Sequence, residues 1–346
     1  MVTFGSANKS DLKMEDSIKV AVLGGGSWAT ALVKMLCENL NEVGWYMRSA
    51  SAIKHIKEHQ HNPNYLSSVE FRVDQLHLSD DINEIVDYAD YLIFAIPSAF
   101  LHQELQKLTL PLNDKVVFSA IKGIVPEYGL IVGEYFHDIY QIPFDNIGVI
   151  TGPCHAEEVA LERLSYLTVA SSDEYKATEL AERLSSSYIN TKISDDIIGT
   201  EYAAMLKNIY AVAAGIAHGL GYGDNFQAVL MSNSIREMKR FIKRIHKMKR
   251  NIDDLAYLGD LLVTGYSIFS RNRMFGNMIG KGYTVKSAMM EMNMVAEGYY
   301  ATKSAHLITA NQKGKSKTPI IDAVYAILYQ GKDPKKTFSK LTEKLN

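Results

Sequence analysis

The stretch VAVLGGGSWATAL, residues 20–32, sets Gly24, Gly26 and Ala29 at G-x-G-x-x-A spacing directly after an apolar run. At that spacing the first glycine closes a tight turn and the second lets the main chain approach a pyrophosphate. The small third residue packs helix against strand, and the pyrophosphate rests on the free N–H groups of the helix start. Such a loop usually works with an acid at the end of the second strand, which accepts hydrogen bonds from a ribose. Here that strand runs out into Tyr46, Met47, Arg48 and Ser49. Arg48 cannot accept those bonds but can pair with a 2′-phosphate. NADP(H) is therefore expected to serve at least as well as NAD(H). A second chemical signal is Lys207, inside the apolar segment GTEYAAMLKNIYAVAAGIAHGL. A lysine buried on such a helix has its pKa lowered toward the range useful for proton transfer.

The elements that must position these groups follow from the pattern of apolar runs. KVAVLG (19–24), EVGWYM (42–47), YLIFAI (91–96), KVVFSA (115–120) and IGVIT (147–151) read as buried strands and alternate with amphipathic segments. That alternation predicts a parallel sheet with helices on both faces. YLTVAS (166–171) and SYINTKIS (187–194) extend it, and beyond about residue 195 helical periodicity takes over. The expected organisation is an N-terminal tail over 1–16, a Rossmann-like doubly wound α/β domain over 17–194 and an all-α substrate domain over 195–346.

Composition narrows the function classes. A chain of 346 residues, 47% hydrophobic and 22% charged, can bury two cores of ordinary size. A net charge of -2 gives no bulk attraction to nucleic acid or to an anionic membrane. Two cysteines, Cys37 and Cys154, support neither a disulfide framework nor a cysteine-built zinc site. The start MVTFGSANKSDLKMEDS lacks the apolar centre of a signal peptide, so a cytoplasmic location is expected. Glu201, Lys207, Asn208 and His218 interrupt the long apolar helix and argue against membrane insertion.

Several further stretches together resemble one family. SAIKGI (119–124), TGPCHAEEVA (151–160), MLKNIYAVAAGIAHGLGYGDN (205–225), GDLLVT (259–264), SRNRMFG (270–276) and VAEGYYATK (295–303) look like the motifs of bacterial-type NAD(P)-dependent glycerol-3-phosphate dehydrogenase. They stand in the family's order, and GGGSWATAL, NPNYL (62–66) and AIPS (95–98) extend the resemblance over nearly the whole chain after residue 17. The resemblance implies reversible reduction of dihydroxyacetone phosphate to sn-glycerol 3-phosphate with NADP(H) or NAD(H), a step that feeds glycerophospholipid synthesis. It implies Lys207 as the proton donor, with Lys122 and Asp260 beside it. Cofactor contacts would come from Gly24, Gly26, Ser27, Trp28, Arg48, Pro97, Lys122, Ala156, Arg271 and Glu297. Substrate contacts would come from Lys122, Gly152, Cys154, Lys207, Asp260, Ser270, Arg271 and Asn272. A homodimer is allowed for, and no metal is required.

Physical chemistry agrees with these roles. Hydride arriving at a ketone leaves an alkoxide, which needs an acid or cation within hydrogen-bond reach. Lys122 would lower and Asp260 would raise the pKa of Lys207. A dianionic phosphate needs fixed donors such as Arg271 and Asn272. Cys154 stands where the family commonly has serine or threonine, which favours an inert buried thiol over a substrate ligand. Tyr266 and Phe269 are bulky enough to tighten the pocket mouth. Two other readings compete: a dehydrogenase for a different hydroxy acid has no need of GDLLVT with SRNRMFG, and a non-catalytic dinucleotide sensor has no need of Lys122, Lys207 and Asp260 together.

Two clusters remain outside the family motifs. KRFIKRIHKMKR, 239–250, puts Phe241, Ile242, Ile245 and Met248 on an approximate helical apolar face. A solvated helix packed through that face is expected, and a docking patch for anionic lipid is the alternative. His55, His59 and His61 lie close together but lack a carboxylate partner in a recognisable site, so solvated histidines are expected rather than a metal site.

Overall fold

The computed structural model describes residues 18–292, 296–311 and 317–345. The expected N-terminal tail and Val295 of the VAEG stretch lie outside the described residues. The strands are β1 (Val20–Leu23), β2 (Val43–Tyr46), β3 (Leu76–Ser79), β4 (Tyr91–Phe94), β5 (Val116–Ser119), β6 (Ile124–Val125), β7 (Leu130–Ile131), β8 (Ile147–Thr151), β9 (Ser165–Ser171) and β10 (Ile189–Ser194). Eight of them form one sheet in the order β10-β9-β8-β5-β4-β1-β2-β3, while β6 and β7 form a separate hairpin.

β1, β2 and β4 are buried along their whole length, as the unbroken apolar runs require of strands covered on both faces. β3 went unpredicted because LHLS is short and only partly buried, at the edge of the sheet. The sheet also departs from the all-parallel expectation. β8 and β9 pair antiparallel, so β9 and β10 run against the other six strands. The connection after β8 turns at Gly152, whose φ of +116° disfavours any side chain. A Cβ there would lie 2.9 Å from the Tyr166 carbonyl oxygen.

From β1 the chain winds one way to β2 and β3, then crosses to β4 on the other side of β1. In open α/β sheets the crevice at this reversal, outside the carboxyl ends of the strands, is where ligands bind. Gly24 follows β1 and Ala95-Ile96-Pro97 follows β4, so both expected cofactor segments meet there.

After β10 the chain becomes helical. The central helix, Ile197–Gly219, buries every residue from Gly199 to Ala217. The helices Asp224–Ile245, Asp260–Tyr266, Arg271–Gly280 and Glu297–Asn311 pack around it. Its contact with Arg271–Gly280 is a main-chain approach: a Cβ on Gly215 would fall 2.0 Å from the Arg273 carbonyl oxygen, and one on Gly276 would fall 2.1 Å from that of Val212. This close crossing brings the SRNR segment against the lysine-bearing helix.

The basic stretch resolves into two parts. The helix stops at Ile245, so Lys247 and Met248 leave the expected face. Phe241 and Ile242 are buried in the helical core, and Arg250 turns inward to donate from Nη2 to Asp196 Oδ1 at 3.0 Å. The apolar side is therefore used in packing. No helix among the described residues is long and apolar enough to cross a membrane.

Candidate active site

The helix Ser27–Cys37 begins at Gly26 with no side chain capping its first N–H groups. Gly24 has φ +141°, and a Cβ there would meet the Ala95 carbonyl oxygen at 2.6 Å. Only glycine fits that turn. Gly26 is different, since its φ of −83° suits any residue and nothing lies within 4 Å of where its Cβ would be. The second glycine thus leaves room for a ligand rather than for another part of the protein. Free N–H groups beside open space are what a pyrophosphate needs, and the residues fit a dinucleotide.

Two side chains fix this loop from outside the motif. Trp45 Nε1 donates to the Gly24 carbonyl at 2.7 Å. Asn62 Nδ2 donates to the Gly25 carbonyl at 3.2 Å and to Thr30 Oγ1 at 2.9 Å. Neither role was legible beforehand, although Asn62 opens the NPNYL stretch.

The loop forms one wall of a cavity of about 550 Å³. Gly24, Gly26, Ser27, Trp28, Arg48, Pro97, Lys122, Cys154, Ala156, Lys207, Ser270, Arg271, Asn272 and Glu297 all line it. Of the expected site residues, Gly152 and Asp260 do not line it. Gly152 shapes the turn after β8, and Asp260 lies behind Lys207.

Lys207 and Asp260 are 3% and 1% exposed, and the ammonium donates directly to Asp260 Oδ1. Thr151 Oγ1 approaches the other carboxylate oxygen at 3.4 Å. Burial pushes the Lys207 pKa down to about 7, with nearby Lys122 adding to the effect and Asp260 opposing it. A buried ammonium held by one carboxylate and facing a second cation can release its proton near neutrality. Lys122 lies on the facing wall, its Nζ 5.2 Å from the centre of the Trp28 ring.

A chain of amides connects the walls. Asn208 Nδ2 donates to the Lys122 carbonyl at 3.0 Å, and Asn272 Nδ2 donates to Asn208 Oδ1 at 2.9 Å. Asn272 Oδ1 in turn accepts from the Gly298 N–H at 2.8 Å. Asn208 could have been suspected as a polar residue next to Lys207 on an apolar helix, but its partners could not.

Arg271 reaches across the cleft and donates from Nη2 to Ser27 Oγ at 2.8 Å. Burial lowers its pKa, with Glu157, Tyr65 and Glu297 opposing. Ser270 caps its helix, its Oγ accepting from the Arg273 N–H at 3.3 Å. Glu297 accepts from Ser98 Oγ at 2.8 Å, and burial raises its pKa.

Cys154 is 5% exposed, and burial pushes its thiol pKa up to about 12. It forms cavity wall without thiolate reactivity. Phe269 lines the mouth, and Tyr266 stands exposed outside it. His55 and His61 approach at 3.2 Å between their Nε2 atoms, and no group of three or more metal-binding side chains forms among the described residues.

Comparison with known proteins places this geometry. The NAD-dependent glycerol-3-phosphate dehydrogenase N-terminus profile matches residues 19–177, and the corresponding C-terminus profile matches 196–339. A Bacillus subtilis protein named glycerol-3-phosphate dehydrogenase (NAD(P)+) is 36% identical over 317 residues, covering 90% of both chains. The chain belongs to the glycerol-3-phosphate dehydrogenase family. A Macrococcus caseolyticus member with the same name is 35% identical over 91% of this chain and 95% of its own. The solved glycerol-3-phosphate dehydrogenase of Coxiella burnetii superposes with a TM-score of 0.85 at 28% identity, over 94% of this chain and 99% of that one. D-mandelate dehydrogenase, at a TM-score of 0.61 and 19% identity, shares the fold alone. The two profile matches and the superposition together cover both the α/β part and the helical part of the chain.

Proposed function

We propose that the protein catalyses NAD(P)H-dependent reduction of dihydroxyacetone phosphate to sn-glycerol 3-phosphate, and the reverse, supplying the glycerol backbone of phospholipids in the cytoplasm. One observation carries the reading: Lys207, held from behind by buried Asp260, lines the same cavity as the glycine loop and the Arg271–Asn272 segment.

A reduced dinucleotide, held at its pyrophosphate by the glycine loop, would supply the hydride. Lys207 holds the C2 carbonyl oxygen and gives it a proton as negative charge develops there. In the reverse direction the same nitrogen, neutral, takes the proton from the C2 hydroxyl. Asp260 aims the ammonium and opposes the loss of its proton. Lys122 adds positive charge from the facing wall and stabilises the developing alkoxide. Arg271 and Asn272 take the phosphate, with Ser270 holding the start of their helix. Because Arg271 also bonds Ser27, substrate and cofactor are tied through one guanidinium. Glu297 holds Ser98 at the start of the helix that follows Pro97, and Ala156 leaves space beside the cofactor wall.

Arg48, exposed at the cavity rim, selects the 2′-phosphate. The test is oxidation of NADPH and NADH at 340 nm with dihydroxyacetone phosphate and with unphosphorylated dihydroxyacetone. Turnover is expected only with the phosphorylated ketone, and at least as efficient with NADPH as with NADH. A preference of more than about tenfold for NADH would remove the Arg48 assignment. No turnover with either cofactor would remove the substrate.

A further inference from the structure

Dihydroxyacetone phosphate carries three polar groups, and the assignment above accounts for two of them. The C2 oxygen lies with Lys207 and the phosphate with Arg271 and Asn272. The free C1 hydroxyl still needs a partner, because a hydroxyl taken from water and left unbonded is costly.

Among the described residues, two buried polar atoms on cavity-lining side chains have no hydrogen-bond partner: Trp28 Nε1 and His155 Nε2. Trp28 belongs to the dinucleotide loop and faces Lys122 across its ring. His155 follows Cys154 on the substrate wall, near Phe269, with 6.5 Å between ring centres. Its segment leaves β8 beside the reacting pair: Thr151 Oγ1 stands 3.4 Å from Asp260 Oδ2, and a Cβ on Gly259 would lie 3.6 Å from the Pro153 ring. Burial, with Lys122 and Lys207 beside it, pushes its pKa down to about 4, so the ring is neutral at working pH. A neutral imidazole has one N–H and one lone pair. A hydroxyl both donates and accepts, so either tautomer can bond it, and no further charge enters a pocket already rich in cations.

Resting on the substrate proposed above, we infer that His155 is a specificity residue whose Nε2 hydrogen-bonds the C1 hydroxyl and discriminates against phosphoketones that lack it. A site whose buried polar atom is satisfied by a substrate hydroxyl rejects the analogue without it, because that atom is then stranded.

The experiment compares kcat/KM for dihydroxyacetone phosphate and for acetol phosphate, which has a methyl group at C1, at saturating NADPH. Wild type, His155→Phe and His155→Gln are measured. The wild type is expected to favour the hydroxyl-bearing ketone by at least about thirtyfold. His155→Phe keeps the ring but loses the polar atom. Its efficiency with dihydroxyacetone phosphate should fall about tenfold, with acetol phosphate changed less than about twofold, so the preference collapses. His155→Gln extends an amide toward the Nε2 position and should keep most of the preference. NADPH affinity, read by nicotinamide fluorescence, should be unchanged in both variants.

Equal losses on the two ketones in His155→Phe would make His155 a packing residue and overturn the inference, as would an unchanged preference. Should His155→Phe fail to bind NADPH, His155→Asn takes its place. Its shorter amide cannot reach the Nε2 position, and a preference retained in Asn as fully as in Gln overturns the inference. A wild type that reduces dihydroxyacetone phosphate without preference over acetol phosphate overturns His155 alone. One that reduces neither ketone overturns the substrate as well.

Discussion

At the cofactor end of the cleft, Gly26 presents bare main chain to open space, with no side chain within 4 Å of where its Cβ would be. At the reacting end, Lys207 and Asp260 are 3% and 1% exposed, and helices enclose them. In the proposed reaction the first site works through main-chain N–H groups and the room beside them. The second works through the cost of burying charge, which brings an ordinary lysine to a pKa of about 7. Side-chain removal should therefore be most harmful at the reacting end, and side-chain addition at the cofactor end.

The largest effect that would sharpen this contrast is Lys207→Ala. Loss of the proton donor should lower kcat by about a hundredfold to ten-thousandfold, while NADPH affinity changes less than about threefold. Steady-state kinetics with a fluorescence binding titration separates the two. Activity surviving in the variant would move proton transfer elsewhere, with Lys122 the next group to test.

Next in size is a pair of added methyl groups. Gly24→Ala should destabilise the fold by about 2–4 kcal/mol, through the positive φ and the Ala95 carbonyl, and lower the Tm. Gly26→Ala should leave the Tm unchanged and weaken NADPH binding about tenfold by filling the space kept for the pyrophosphate. Equal Tm losses in the two variants would break the distinction between a glycine needed by the fold and one needed by the ligand.

The pH dependence comes third. Lys207 must be protonated to act in reduction and neutral to act in oxidation. Reduction should therefore fall about tenfold per pH unit above roughly 7, and oxidation should fall likewise below it. Profiles of kcat in both directions check this. Matching profiles would remove Lys207 as the titrating group.

The last effect falls on stability rather than on activity, at a buried acid that touches neither end. Glu201 Oε2 accepts from the Gly133 N–H at 2.8 Å, tying the central helix to the start of the helix Val132–Tyr140. Burial raises its pKa to about 8 from 4.5. The folded state then binds more protons than the unfolded state between those values, so stability falls as pH rises through that window. Glu201→Gln should flatten this slope, which is on the order of a few kcal/mol across the window, in denaturant melts from pH 5 to pH 8.

The two ends also differed in how legible they were. The glycine loop was read from spacing because its chemistry lies in consecutive main-chain groups with a strand before and a helix after. Lys207 stood out by the apolar residues around it on one helix. Asp260, Arg271 and Asn272 carried no local signal strong enough to stand alone and were assigned through the combined family motifs. The edge strand β3 and the antiparallel turn after β8 were missed, because four mixed residues and a glycine do not state a direction of pairing. His155, Asn208 and Trp45 were missed as site residues because each acts on atoms far away in the chain.

The sequence by itself therefore determined which segments bury both faces, where the dinucleotide loop begins, and which lysine sits on an apolar helix, since all three are properties of neighbours along the chain. Tertiary structure alone decided that Asp260 lies behind Lys207 rather than in the cavity wall. It also decided that Arg271 bridges to Ser27, and that His155, a cavity-lining residue, keeps a buried nitrogen without a partner. Hydrogen bonds and burial depend on which distant groups the fold brings within a few ångströms, and chain spacing does not encode that distance.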